Sequence, residues 1–317
     1  METRLGTPLA TFSEALVLTL LFATTAIPSS AQQYVFRSVD VPGVAGTLIG
    51  GNNNSGVIAG CYQMTGPSSD YLAFVLNDAK FTVAEYPNAV STCVNGVSGN
   101  GKYAGAYAKS DGIGHGFLLS NKTFKSIDYP NAAFTEAYGV NDSGIVSGDY
   151  SDGSAYHGFT WHGGTFTHVD FPGASNTYVT GINDSGDVVG TYTMGGTYHG
   201  FLLSGGNFST IDYPGSIYTS LFGINNLSQI VGFYYNSDTV NHGFSDFAGI
   251  FSTLDYPGAA SAAIGINDSG QVVGQWFGGG SNPSPYDEHG YLATPAGGSK
   301  PAVRGVPGPH GRLVSRH

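Results

Sequence analysis

The chain has 317 residues, of which only 10% are charged, and its formal net charge is −11. The basic residues of its central region, Arg37, Lys80, Lys102, Lys109, Lys122 and Lys125, fall early, and none occurs between 126 and 299. Phosphate backbones need a basic face, so nucleic acid is excluded as a partner; cations, neutral sugars and basic partners are not.

Residues 1–31 read as a signal peptide. The apolar run ALVLTLLFATTA (15–26) is too short to span a bilayer, and Ser29-Ser30-Ala31 forms a small-residue cleavage site before Gln32. The expected location is therefore extracellular, secreted or at the cell surface. No later stretch is apolar enough for a transmembrane helix, so none is expected in the mature chain.

Residues 32–294 repeat one unit six times. Asp40, Glu85, Asp128, Asp170, Asp212 and Asp255 share one slot, Asn53, Ser98, Asn141, Asn183, Asn225 and Asn267 a second, and Gly60, Gly105, Gly148, Gly190, Gly232 and Gly274 a third, recurring every 42 to 45 residues. The fourth copy reads as strands over 178–182, 187–192, 199–204 and 207–214. The turn Asn183-Asp184-Ser185-Gly186 joins the first two, and Gly205-Gly206 joins the last two. Four-stranded meanders at this period predict an all-β fold, a six-bladed β-propeller of antiparallel blades. The length suits a single ring, and a monomer is expected.

A two-residue hairpin turn fixes which residues face each other, because partners lie equidistant from the turn. This sets His115 opposite Asp128, His157 opposite Asp170, His199 opposite Asp212 and His242 opposite Asp255. The copy with Leu72 in place of His also has Glu85 in place of Asp, as though the pair were lost together. The repeated pair reads as a structural cross-strand hydrogen bond. His289 and Asp40 are left over. They pair if the N-terminal strand 34–41 docks on 289–294, which closes the ring and removes its exposed edge.

Cys61 falls on the second strand of the first blade and Cys93 on the first strand of the next. In an exported chain they form one disulfide or stay as two buried thiols, and the residues leave both open. The Pro/Gly-rich basic segment 295–317 reads as a disordered tail.

No catalytic signature stands out, and an enzyme is the less favoured reading. The N-D-S-G turns lack the ligand spacing of a calcium loop. The recurrent histidines sit on different blades and cannot converge on one metal ion. No metal and no cofactor are therefore expected. The loops between second and third strands vary between copies, and loops on a rigid scaffold commonly carry binding. Candidate ligand-binding residues there are Tyr71, Tyr156, Tyr198 and Tyr286 with Asp152, Asp238, Asp287 and Glu288, aromatics and carboxylates suited to stack on and hydrogen-bond a sugar. The leading expectation is a binding module for an extracellular carbohydrate or surface polymer. The alternatives are a protein-interaction or structural surface protein, and a glycan hydrolase or lyase with carboxylates near the axis.

The unit His199-Gly200-Phe201 through Asp212-Tyr213-Pro214-Gly215, together with the span Gly181 to Gly190, resembles the HAF repeat family of bacterial extracellular proteins over most of residues 36–294. Gly replaces the usual Ala of H-A-F except at Leu72-Ala73-Phe74. The resemblance implies export and a repeat fold, and brings no catalytic residues.

Overall fold

The structure is a computed structural model that describes residues 33–64, 70–278 and 288–296. The expected signal peptide, most of the C-terminal tail, and Tyr286 and Asp287 lie outside the described residues. Six four-stranded antiparallel sheets form a ring, a six-bladed β-propeller. The fourth blade runs Asn176–Ile182, Val188–Met194, Thr197–Ser204 and Asn207–Thr210, from the inner strand outward.

Turn chemistry sets these boundaries. In the first turn of every blade but the second an Asn side chain folds back on its own loop, as where Asn183 Oδ1 accepts the Asp187 N–H at 2.9 Å and Gly186 takes φ +84°; in the second blade Ser98 Oγ accepts the Lys102 N–H at 3.0 Å. In the outer hairpin both turn residues are left-handed, Gly205 at φ +56° and Gly206 at +81°, the geometry that matches strand twist. Asn121 and Lys122 adopt the same pair of angles, +50° and +64°.

The outer strand is shorter than its apolar pattern suggests, ending at Thr210 instead of Pro214. The reason is a substitution of acceptors. The Ile211 N–H still reaches the Gly200 carbonyl at 2.9 Å, but the Gly200 N–H bonds Asp212 Oδ1 at 3.2 Å. The carboxylate thus takes the place of a ladder carbonyl. The same exchange occurs at Gly158 with Asp170 (3.0 Å) and Gly243 with Asp255 (3.1 Å). Glu85 keeps this half of the interaction, accepting the Ala73 N–H at 2.8 Å. The first blade therefore loses only the histidine contact; the carboxylate's main task survives the change to Glu.

The ring closes through the two ends of the chain. Tyr34–Ser38 pairs antiparallel with Glu288–Pro295, with Tyr34 opposite Pro295 and Ser38 opposite Tyr291. The Val39 N–H continues the contact to the Gly290 carbonyl at 2.8 Å, and the Ala296 N–H reaches Gln33 O at 2.7 Å. Pro295 and Ala296, expected at the start of the tail, thus belong to the last blade.

Neighbouring blades are joined by three repeated devices. A hydroxyl on each inner strand, threonine except for Ser261 in the last blade, accepts a backbone N–H of the linker that leads into it, as Thr177 Oγ1 does from Phe171 N at 3.0 Å and Thr219 Oγ1 from Tyr213 N at 3.1 Å. The linker aromatic then stacks in the following blade, with Tyr213 and Tyr234 ring centroids 3.6 Å apart and Phe171 and Tyr192 3.7 Å apart. Third, the asparagine turns are linked head to tail at one end of the axis. Asn183 Nδ2 donates to Asn225 O, Asn225 Nδ2 to Asn267 O, and Asn267 Nδ2 to Asn53 O, at 3.3, 3.0 and 3.0 Å.

Candidate binding site at the axial mouth

Inner strands run from the loop-rich face to the asparagine turns, so the axis has two unlike ends. At the asparagine end the space is about 100 Å³, ringed by the linked turns. At the loop-rich end two adjoining cavities of about 220 and 200 Å³ share Tyr138, Thr180 and Phe222.

Equivalent positions of the six inner strands build this mouth. Gly50, Asn95, Tyr138, Thr180, Phe222 and Ile264 occupy one slot, which faces the axis. The sizes are strongly unequal, and the two aromatic residues of the slot, Tyr138 and Phe222, come from blades three and five. Tyr178, Tyr198, Tyr218, Thr191, Ser220 and Asp149 complete the second cavity. The tyrosines hold one another: Tyr198 and Tyr218 ring centroids are 4.9 Å apart, Tyr156 and Tyr178 4.8 Å, and Tyr218 and Tyr235 4.5 Å.

Two acids stand among these rings. Glu136 and Asp149 are directly opposite on adjacent strands. The Tyr138 hydroxyl donates to Glu136 Oε2. Asp149 is only 1% exposed, and its Oδ2 is buried with no hydrogen-bond partner. Burial, reinforced by the Glu136 charge, pushes the Asp149 carboxyl well above the usual carboxylate range. The Tyr178 hydroxyl is pushed up to about 12 by burial and by Tyr198, Tyr156, Asp149 and Tyr218, so the phenol stays neutral. No Lys, Arg or His lines either cavity among the described residues.

The residues expected from the loops divide into three groups. Tyr198 lines the second cavity, and Tyr156 packs on Tyr178 at its rim. Tyr71 and Glu288 occupy the corresponding position of their own blades, one residue before the Leu72 or His289 slot. The Tyr71 N–H bonds Ser91 Oγ at 3.1 Å, and burial raises the Glu288 carboxyl. Asp152 and Asp238 serve their own loops. Asp152 Oδ1 accepts the N–H groups of Ser154 and Ala155 at 2.8 and 2.9 Å, and Asp238 Oδ1 that of Val240 at 3.1 Å. Their second oxygens lie 3.5 and 3.4 Å from His157 and His242 Nε2. These two carboxylates bond their own loops, whereas Asp149 lines the mouth, with Glu136 as its cross-strand neighbour.

A comparison of copies along the strands, in addition to the loops, locates that pair. Glu136 holds the slot of Leu48, Cys93, Tyr178, Ser220 and Ala262, and Asp149 that of Cys61, Ala106, Thr191, Phe233 and Gln275. Only the third blade puts acids at both.

The recurrent histidines lie outward of the mouth. His199 Nδ1 donates to Asp212 Oδ2 at 2.8 Å, His115 Nδ1 to Asp128 Oδ1 at 2.7 Å, and His289 Nδ1 to Asp40 Oδ1 at 3.2 Å. No group of three or more His, Cys, Asp or Glu residues suited to a metal ion occurs among the described residues. Cys61 and Cys93 form a disulfide that joins the first blade to the second. No helix among the described residues is long and apolar enough to cross a membrane.

No protein-family model matches the chain, and no curated protein matches it. Solved structures do. The chain is similar to TolB from Acinetobacter baumannii, with a TM-score of 0.56 and 12% identity over 76% of this chain and 64% of that one. At that identity the likeness is one of fold. Virginiamycin B lyase from Staphylococcus aureus aligns at a TM-score of 0.46 and 11% identity, over 82% of this chain and 99% of that one. The Aleuria aurantia lectin in complex with Fucalpha1-6GlcNAc aligns at 0.47 and 12%, over 79% and 96%.

Proposed function

We propose that the protein is an exported β-propeller binding module that takes a unit of an extracellular carbohydrate or surface polymer at its loop-rich axial mouth. One observation carries the reading: Tyr138, Tyr178, Tyr198 and Tyr218 converge on one cavity with the hydrogen-bonding groups of Thr180, Ser220 and Asp149. Rigid aromatic faces beside convergent polar groups are what a sugar ring needs for stacking and for its hydroxyls. The cavity, about 200 Å³, is smaller than the roughly 300–1,000 Å³ that encloses a drug-sized ligand. It suits one residue or substituent of a longer chain. The Cys61–Cys93 disulfide supports export, because such bonds persist in oxidising compartments. The resemblance to HAF repeats fits the same reading.

The test is a panel of soluble and insoluble glycans incubated with the purified propeller, scoring both bound protein and released reducing ends. Binding without product, lost in Tyr198→Ala, supports the module. Absence of binding across the panel defeats it. A hydrolase or lyase is the second reading, favoured by Glu136 and Asp149 as cross-strand neighbours, since paired carboxyls in unlike environments can divide acid and base roles. Product release that Asp149→Asn abolishes selects it.

A further inference from the structure

We infer that the axial mouth selects a cationic unit, an ammonium-bearing sugar such as a de-N-acetylated amino sugar, over its neutral acetylated counterpart. The inference rests on the carbohydrate reading above and narrows its ligand class.

The first support is charge. Asp149 lines the second cavity, Glu136 stands directly behind it as its cross-strand neighbour bonded by the lining residue Tyr138, and the lining includes no basic side chain among the described residues. The sequence reinforces this, since no Lys or Arg occurs between 126 and 299, the span that supplies blades three to six. The positions that blades one and two contribute to the axis are Gly50 and Asn95, which are uncharged.

The second support is an unmet contact. Asp149 is buried to within 1% exposure, yet its Oδ2, which has no partner, belongs to a residue that lines the cavity. A buried acid oxygen without a partner is costly, and natural interiors seldom leave one without a cause such as a catalytic role, a water or an ion. Its opposite neighbour Glu136 is a second carboxyl already bonded by the Tyr138 hydroxyl. An ammonium bound there would supply the opposite charge that favours the ionised form of Asp149, a carboxyl that burial otherwise keeps neutral, and it is a donor whose hydrogen bond Oδ2 can accept.

The third support is the ring arrangement. Tyr138, Tyr178, Tyr198 and Tyr218 present aromatic groups around the same space. An ammonium held against such faces is attracted by their π-systems, most where water is displaced. Carboxylates and π-faces act in the same direction on a cation. They oppose a uronate or a sulfate.

The test uses the full propeller with glucosamine hexamer and N-acetylglucosamine hexamer at pH 5.5, by calorimetry. The expected result is glucosamine hexamer bound at least tenfold more tightly, weakened by added salt and by tetramethylammonium as competitor. Glu136→Gln and Asp149→Asn should each erase that preference, with folding of both variants checked by their melting curves. Equal or tighter binding of the acetylated hexamer overturns the inference while leaving the carbohydrate reading intact. A preference that survives in a folded Glu136→Gln variant also overturns it. Binding of neither hexamer, when other glycans of the panel bind, removes the amino-sugar assignment; failure of the whole panel removes the parent reading with it.

Discussion

His289 and Asp40, 249 residues apart in sequence, make across the ring closure the contact that His199 and Asp212 make within a single hairpin. In both places the same carboxylate also accepts the N–H of the glycine after the histidine, Gly290 at 3.2 Å and Gly200 at 3.2 Å. Closure is therefore built from the local rule of the repeat, with its two halves supplied by opposite ends of the chain.

This makes Asp40 a sensitive site. Asp40→Ala leaves the Gly290 N–H without its acceptor and loosens the strand Tyr34–Ser38, which covers the outer edge of Glu288–Pro295. Losing an acceptor of a partly buried donor costs roughly 1–3 kcal/mol, a fall in Tm of several degrees for a domain of this size. Asp40→Glu should recover part of it, as Glu85 keeps the bond to Ala73. Deleting residues 33–40 should expose the edge and give aggregation on size-exclusion chromatography, because an unpaired edge templates further pairing. A monomeric deletion variant with wild-type Tm would show that closure contributes nothing.

Glycines that look alike in the repeat should behave very differently. A Cβ on Gly190 would sit 2.0 Å from the Tyr178 carbonyl oxygen and 2.8 Å from the Phe201 ring. Gly190→Ala must therefore push the inner strand or Phe201 from its place, and we expect a loss of several kcal/mol or no soluble protein. Gly205→Ala meets open space, and only its φ of +56° is unfavourable, which costs about 1 kcal/mol. Paired urea denaturation curves check the contrast.

The repeat, the turns and the hairpin register were legible because each is local. Asn-Asp-Ser-Gly and Gly-Gly state their turn types directly, and a two-residue turn fixes its neighbours by counting. The asparagine chain was not legible, because Asn183 Nδ2 finds its acceptor 42 residues away. The threonine clasp, Thr177 to Phe171, escaped for another reason: a small polar residue in a strand carries no local signature. Asp149 and Glu136 belong to no variable loop, since they stand on the two innermost strands of their blade. Asp152 and Asp238 looked like free loop acids, yet the backbone of the same loop claims them.

The disulfide lies at the seam where one clasp is missing. Elsewhere the second turn residue accepts a backbone N–H from the preceding blade, as Asp184 Oδ1 does from Asp142 N at 2.8 Å and Asp268 Oδ1 from Asn226 N at 2.9 Å. Gly99 holds that slot in the second blade and has no side chain to offer Asn54. Cys61–Cys93 crosses this same boundary. Reduction, or Cys61→Ala with Cys93→Ala, should lower stability by up to about 4 kcal/mol for a loop whose ends are 32 residues apart. Hydrogen exchange should quicken first in 46–52 and 91–97, the inner strands on either side of the seam. Uniform loosening of all blades would count against a local clasp.

The acid–base balance predicts that the fold is steadier in mild acid than in mild alkali. The bond to Asp170 raises the His157 pKa, with Asp152 adding to it. Burial alone would lower that of His242, but Asp255 and Asp238 together raise it. A histidine whose folded value is raised contributes fully below its ordinary value of about 6.5 and loses that contribution as pH rises through the raised one. Burial raises the carboxyls of Asp149, Asp246, Glu85 and Glu288. Their contribution is present below about pH 4 and is lost as pH climbs through their raised values. Only Asp152 and Asp238 act the other way. The N–H groups of Ala155 and of Val240, respectively, hold them low, so what they contribute is lost as pH falls below the ordinary carboxylate range. Tm should therefore be higher near pH 5 than near pH 8. His157→Gln should flatten the decline above about pH 6, and Asp149→Asn should flatten the part that begins near pH 4. A Tm that rises from pH 5 to pH 8 would contradict the balance, and a slope unchanged in both variants would assign it to other groups.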